Sequence, residues 1–247
     1  MADIISVQNL SKSFDSFIVL DEISFTVNAA ENLVVFGRSG TGKSVLLKCM
    51  IGLMQPDSGR ILIDGRVVQD LSIKDLNELR KEIGFLFQGG ALYDSMSVRE
   101  NLAFPLVRNY KFTKAIINEK VAYTLDLVGL RSAIDKMPSE LSGGMRKRIA
   151  LARSIITEPK IMLYDEPTTG LDPLTTKEIS ELILDLQKKL NMTSVVVTHD
   201  LTCANIIADR AIFLHDGKIR YEGTIKELTD SEDHFLKNFF STEKINV

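Results

Sequence analysis

Cysteine is nearly absent: Cys49 and Cys203 are the only two in 247 residues, far apart and in apolar settings. That excludes a disulfide framework and a cysteine-based zinc site, and leaves both as small buried hydrophobes. Long hydrophobic runs are missing too. The longest stretch without a formally charged side chain is Ile83 to Tyr93, eleven residues, whereas a membrane-spanning helix needs about 20 apolar ones. Neither charge dominates, since 30 Lys plus Arg face 33 Asp plus Glu for a net −3. Without a global basic field, nucleic acid is not an expected partner. The opening MADIISVQNLSKSF lacks the basic start, apolar stretch and small-residue cleavage site of a secretory leader, so a cytoplasmic placement is expected. No internal repeat, low-complexity tract or Pro/Gly/Ser linker divides the chain. What remains, 45% hydrophobic and 26% charged, is ordinary globular composition in a chain long enough to bury its own core.

Short β-branched and aromatic runs punctuated by Gly, Asn or Asp predict strands at Ile4–Val7, Ile23–Val27, Leu33–Phe36, Ile61–Ile63 and Ile83–Phe87. Others follow at Ile161–Tyr164, Ser194–Val197 and Ala211–Leu214. The runs at 161 and 194 are apolar on consecutive positions, as strands covered on both faces are, which points to a central parallel sheet. Between Gln88 and Pro159 strand-like runs give way to helical patterns. Thr113 is a candidate cap for a helix carrying Ile117, Val121, Leu125 and Val128 on one side. Asp172 and Pro173 open another, with Ile179, Leu182, Ile183, Leu186 and Leu190 as its apolar stripe. The pattern is an α/β core interrupted by a mostly helical insert over residues 89–158.

The strongest chemical signal is Gly37-Arg38-Ser39-Gly40-Thr41-Gly42-Lys43-Ser44, a G-x-x-x-x-G-K-[ST] loop between a predicted strand and a predicted helix. Such a loop turns successive backbone N–H groups toward phosphate oxygens at the positive end of a helix. Lys43 would reach the outer phosphates and the Ser44 hydroxyl would serve Mg²⁺. A nucleoside triphosphate is the implied ligand. Downstream, the apolar run Ile161–Tyr164 ends in Asp165 and Glu166, a metal partner and a water-positioning base delivered from a rigid strand end. His199 ends another β-rich run and suits a hydrogen bond to the γ-phosphate. His215 and His234 have no motif around them.

Leu141-Ser142-Gly143-Gly144-Met145, after the P-loop and shortly before the Asp165 strand, resembles the signature of ABC-transporter ATPase subunits. The resemblance extends over residues 4–223. It implies a P-loop NTPase with a RecA-like parallel-sheet core, an antiparallel β subdomain and an inserted helical subdomain. Residues 1–88 and 159–223 would form the ATP-binding core, 89–158 the insert, and 224–247 a C-terminal extension. It further implies that Phe14 stacks on adenine, with Phe17 as the alternative, and that Gln88 is the Q-loop glutamine touching the metal. Gly170-Leu171-Asp172 would be the D-loop and His199 the switch histidine. In that family two cassettes sandwich two ATP molecules with Mg²⁺ head to tail, so Ser142, Gly143, Gly144 and Asp172 would face the nucleotide of a second, identical subunit. Met145 stands where glutamine is more frequent. The following Arg146-Lys147-Arg148 could support that site, although most of the run reads as a solvated helical face.

A finer resemblance runs from Phe87 to Asn101, FQGGALYDSMSVREN, and on to Phe104-Pro105-Leu106. It is similar to the Mce-associated, or maintenance-of-lipid-asymmetry, ATPases. That implies phospholipid as cargo, an integral-membrane permease as partner, a periplasmic Mce-type lipid-binding protein beyond it, and a place on the cytoplasmic face of a bacterial inner membrane. Tyr93 and Met96 are the candidate permease contacts, and Phe104 is assigned to packing of the insert. A different cargo, or a regulatory ATPase that gates a membrane complex without transport, stays open. In the tail, Phe235, Leu236, Phe239 and Phe240 could form an amphipathic stripe docked on the core or on a partner subunit.

Overall fold

A computed structural model describes residues 3–237 and 239. In chain order its first elements are β1 (Asp3–Phe14), β2 (Phe17–Asn28), β3 (Asn32–Phe36), α1 (Lys43–Met50), β4 (Ser58–Ile63) and β5 (Arg66–Val67). Next come α2 (Ile73–Lys81), β6 (Ile83–Leu86), α3 (Val98–Asn109), α4 (Lys114–Leu127), α5 (Gly143–Ile155) and β7 (Ile161–Asp165). The chain closes with α6 (Pro173–Leu190), β8 (Thr193–Thr198), α7 (Leu201–Ile207), β9 (Arg210–His215), β10 (Lys218–Gly223) and α8 (Ile225–Thr229).

Two sheets organise the core. One is antiparallel in the order β2-β1-β4-β5; the other has the order β10-β9-β3-β8-β7-β6, parallel throughout except for the antiparallel β10 edge. Every residue of β3, β7 and β8 is buried, as their unbroken apolar runs predict. Their side chains alternate between two cores. Val34, Phe36, Met162, Tyr164 and Val196 pack on the helical side, whereas Leu33, Val35, Leu163, Val195 and Val197 pack toward α1 and the antiparallel sheet. β1 and β2 are longer than their apolar runs, because Asn9 and Glu22 sit at φ 47° and 50° and shift the register, breaking the alternation that marks a strand. β10 escapes sequence detection for a related reason: as an edge strand it has no buried position and no apolar run.

From Leu86 to Ile161 the chain makes no strand; α3, α4 and α5 fill the gap. Thr113 caps α4 by accepting the Ile116 N–H, and Val121, Leu125 and Val128 are buried as their spacing requires. Asp172 caps α6 through the Thr175 N–H at 3.0 Å, with Ile179, Ile183 and Leu186 against the sheet. Asn101, fully buried on α3, donates to the carbonyls of Tyr93, Met96 and Ser97 at 2.9–3.1 Å and accepts the Tyr93 N–H at 2.8 Å. Phe104 departs from its expected place in the interior of the insert. It is 37% exposed, its ring 5.1 Å from that of Tyr93, so the two form one surface aromatic pair.

In the tail, Leu236 and Phe239 are buried on the core: the Phe239 ring meets Phe36 at 6.0 Å and Phe213 at 4.9 Å, and Phe235 meets His215 at 4.3 Å. Phe240 lies outside the described residues. Both cysteines are buried, which pushes the Cys49 thiol up to about 11 and the Cys203 thiol up to about 12.

Candidate functional site

Four neighbouring parallel strands, β3, β8, β7 and β6, end level with one another, because Phe36 pairs with Thr198, Asp165 with Val197 and Leu86 with Tyr164. The P-loop follows β3, His199 follows β8, Asp165 and Glu166 end β7, and Gln88 lies two residues past β6. Residues far apart in sequence thus meet at the carboxyl edge of one sheet, where open α/β folds collect ligands. Ser39, Gly40, Gly42, Lys43, Ser44, Gln88, Glu166 and His199 line a cavity of about 260 Å³ there, with Asp165 behind Ser44. Gly42 caps α1 at φ 94°, and a Cβ there would stand 2.8 Å from the Val19 carbonyl oxygen, so only glycine lets the loop close onto the helix.

Lys43 is 5% exposed and donates to the Gly37 and Arg38 carbonyls at 2.7 and 3.0 Å. Its ammonium also lies 3.2 Å from Glu166 Oε1. Glu166 takes a left-handed backbone, φ 49°, fixed by its N–H donating to the Val197 carbonyl at 2.9 Å. Its other oxygen, Oε2, is 2.9 Å from His199 Nδ1 and accepts from the Thr169 hydroxyl at 3.4 Å. Burial pushes the Glu166 carboxyl up, but the His199 hydrogen bond and the Lys43 charge outweigh it and hold the group below its ordinary value.

Asp165 behaves in the opposite way. Burial raises its carboxyl above the ordinary range, against the pull of the Ser44 hydroxyl, which donates to Oδ1 at 2.7 Å. A hydroxyl and a carboxylate touching at the phosphate cavity make a hard-oxygen pair suited to Mg²⁺, and a carboxylate that burial disfavours gains from a cation. Among the described residues no group of three or more His, Cys, Asp or Glu could hold a metal alone. The donor set therefore fits Mg²⁺ carried in with phosphate oxygens.

Other sequence-predicted residues stand apart from this cavity. Ser142 caps α5 by accepting the Met145 N–H at 3.3 Å, and Asp172 caps α6; neither lines the cavity, nor do Gly143 and Gly144. Gly143 instead lines a second cavity of about 440 Å³ with Gln88, Gly89, Lys147, Thr169 and Gly170. Arg38, Ser39, Gly40 and Thr41 line a third, about 250 Å³, and the aromatic there is Phe17, 66% exposed, beside His215. Phe14 is not among its lining residues; its ring lies 5.5 Å from the Lys12 ammonium at the hairpin tip. Of the two aromatics, Phe17 lines the cavity beside the P-loop and Phe14 does not.

One residue beside the site escaped the sequence. Asp200, next to His199, caps α7 through the Cys203 N–H at 3.0 Å and accepts from the Thr168 hydroxyl at 3.2 Å, tying the His199 turn to the Glu166 turn. An aspartate directly before a helix is a cap signal that could have found it. The Arg146-Lys147-Arg148 run is also more than a solvated face. Arg146 Nε donates to the Leu141 carbonyl at 3.2 Å, Lys147 to the Gln88 carbonyl at 2.7 Å, and Arg148 pairs with Glu178 at 3.0 Å.

A family model described as ABC transporter matches residues 20–169. The probable ribonucleotide transport ATP-binding protein mkl of Mycobacterium tuberculosis is 40% identical over 98% of this chain and 67% of its own length. The intermembrane phospholipid transport system ATP-binding protein MlaF of Haemophilus influenzae is 40% identical over 98% of this chain and 91% of its own. The methionine import ATP-binding protein MetN of Clostridium tetani is 39% identical, over 98% and 76%. Among solved structures, a dimeric ATP-binding cassette in a post-hydrolysis state with ADP and Pi superposes with a TM-score of 0.82 at 30% identity, covering 90% of this chain and 98% of that one.

Proposed function

The chain belongs to the ABC transporter family as an ATP-hydrolysing subunit, and we propose that it powers phospholipid movement through a separate membrane permease. Similarity to MlaF over nearly the full length of both chains carries the cargo assignment. Identity alone does not separate this from the methionine importer. What favours lipid is the segment Phe87–Leu106, whose resemblance to the Mce-associated ATPases falls on the surface around Tyr93 and Phe104.

In this reading residues 1–88 and 159–223 form the nucleotide-binding body, 89–158 the helical lever and 224–247 an extension. The P-loop backbone from Gly37 to Ser44 cradles the phosphates of ATP at the N-terminus of α1, while Phe17 takes the base. Lys43 exchanges Glu166 for the outer phosphates, and Glu166, still held by His199, orients the attacking water. Ser44, Asp165 and Gln88 would hold Mg²⁺, which supplies charge neutralisation on the phosphate oxygens when bound. Because Ser142, Gly143, Gly144 and Asp172 stand away from the chain's own cavity, each chain has half a site. A second copy, docked head to tail, brings those groups and the α5 N-terminus to the γ-phosphate.

The permease contact falls on Tyr93 and Met96. No helix among the described residues is long and apolar enough to cross a membrane; in this reading the chain sits against that permease on the cytoplasmic face of the inner membrane, as its similarity to MlaF suggests. A periplasmic Mce-type protein completes the path. The test is to extract the native complex in mild detergent, capture it through this subunit, and identify bound proteins and lipid. A multi-spanning permease, an Mce-type protein and enriched phospholipid support the proposal. A permease with a solute-binding protein and no lipid discards the cargo while leaving the ATPase intact.

A further inference from the structure

We infer that Lys147 is a positioning residue that ties α5 to Gln88, so that the orientation of the helical insert sets where Gln88 stands in the phosphate cavity. The inference rests on the reading of Gln88 given above. Strand β6 stops at Leu86, and beyond it the chain makes a turn in which the Gly90 N–H donates to the Phe87 carbonyl at 2.8 Å; Phe87 is 38% exposed, and Gly89 and Gly90 follow Gln88, Gly90 at φ 77°. The other polar cavity side chains sit at a strand end or at the P-loop and the first turn of α1, whereas Gln88 has a glycine pair behind it. Beyond that turn, the contact that ties the Gln88 carbonyl to another element is a cation. Lys147 Nζ donates to the Gln88 carbonyl at 2.7 Å, and one and a half turns further along α5 Arg153 donates to the Ala91 carbonyl.

Lys147 is not a surface lysine that happens to reach a carbonyl. It is half-buried, and burial lowers its ammonium below the ordinary lysine value against the opposing pull of Glu166 and Asp165. Gln88 lines both the 260 Å³ phosphate cavity and the 440 Å³ cavity that Lys147 shares with the Gly143 turn and the Thr169-Gly170 turn. The ammonium therefore sits between the start of α5, where Ser142 would meet the partner's nucleotide, and the glutamine that meets this chain's own. A rotation of the insert moves Lys147 with α5, and the Gln88 peptide follows because its glycines resist least.

The test uses the full-length chain assembled with its permease, measuring phosphate release and thermal midpoint for Lys147→Met, Lys147→Arg, Gln88→Ala and the Lys147→Met/Gln88→Ala double variant. Lys147→Met should lower kcat about tenfold with the KM for ATP within about twofold, and Lys147→Arg, which keeps the donor and charge, should recover most of it. In the Gln88→Ala background the methionine change should cost less than about twofold more, since a residue that acts through another has nothing left to act on. Multiplicative losses in the double variant, or an activity loss that only follows the thermal midpoint, overturn the inference. If Lys147→Met does not assemble, the arginine variant decides alone: kcat far below the parent's at an unchanged midpoint overturns it, and near-parental kcat supports it. A Gln88→Ala variant with parental turnover removes the role of Gln88 and the inference with it, whereas additivity with an impaired Gln88→Ala removes the inference alone.

Discussion

Glu166→Gln separates what the Glu166 carboxylate does for chemistry from what it does for Lys43. Before ATP arrives, Oε1 neutralises a buried ammonium 3.2 Å away. At an effective dielectric of about 20 that attraction is about 5 kcal/mol gross, most of which desolvation takes back. Lys43 keeps its two carbonyl acceptors at 2.7 and 3.0 Å in the variant, so losing the charge should destabilise the nucleotide-free protein by about 1–3 kcal/mol, less than a fully orphaned buried charge. That same term is a competitor which the phosphates must displace. Removing it should tighten ATP binding by about 5- to 150-fold, while turnover falls by about 10² to 10⁴ with the loss of the base. The sign with pH follows from the depressed Glu166 value. The ion pair contributes fully above the ordinary carboxylate pKa of about 4.3 and is lost as pH falls through the lower folded value, so parent and variant should converge in acid. Phosphate release, ATP titration calorimetry and thermal midpoints across pH read the three effects. Turnover within tenfold of the parent refutes the base; unchanged ATP affinity together with an unchanged midpoint refutes the exchange at Lys43.

Gly84→Ala should cost about 2 kcal/mol or more, because a Cβ there would stand 2.2 Å from Met162 Sδ and 2.5 Å from the Ser154 carbonyl, forcing β6, β7 and α5 apart; denaturant melts with unchanged stability would contradict this. Asn101→Ala removes four hydrogen bonds that fold residues 93–97 onto α3. It should cost about 2 kcal/mol and open that segment to hydrogen exchange while ATP affinity holds. Mg²⁺ affinity measured with nucleotide should climb with pH from about 4 upward and level off once the raised Asp165 value is passed, since the metal must displace a proton that burial retains; a flat profile argues against Asp165 as ligand. Replacing Tyr93 and Met96 together with Ala should release the permease without touching the fold, and unchanged co-purification removes that contact.

The parallel core was legible because burial on both faces writes itself as unbroken apolar runs, and the P-loop because its chemistry needs consecutive residues. Glu166, Asp165 and His199 were legible only as strand ends beside that loop; nothing in their local sequence says that Glu166 reaches Lys43 and His199 at once. The positive φ at Asn9 and Glu22 lengthened β1 and β2 beyond any periodic signal, and the polar edge strand β10 had none. The resemblance put Phe14 first and Phe17 second as the stacking aromatic, and the hairpin places Phe17 rather than Phe14 in the lining of the cavity beside the P-loop. Lys147 was hidden by composition, since three successive cations read as one solvated face while each has a separate partner.

The division of the site between stiff and yielding parts bears on how hydrolysis couples to movement. Asp165, Glu166 and His199 sit at the ends of strands whose residues are buried throughout, Ser44 stands in the first turn of α1 and bonds to Asp165, and such packing has little room to adjust. A nucleotide gripped there feels the same groups whatever the insert does. Gln88 is the exception, anchored by Lys147 on the insert. If the stiff groups alone governed turnover, the position of the insert would not reach the chemistry through this path. With Gln88 held from α5, a permease docked as proposed on Tyr93 and Met96 would act on the segment Asn101 fastens to α3, and α3 packs on α5 in the same core. The route from cargo gate to phosphate is then mechanical, and each joint in it is a contact that a single substitution can remove.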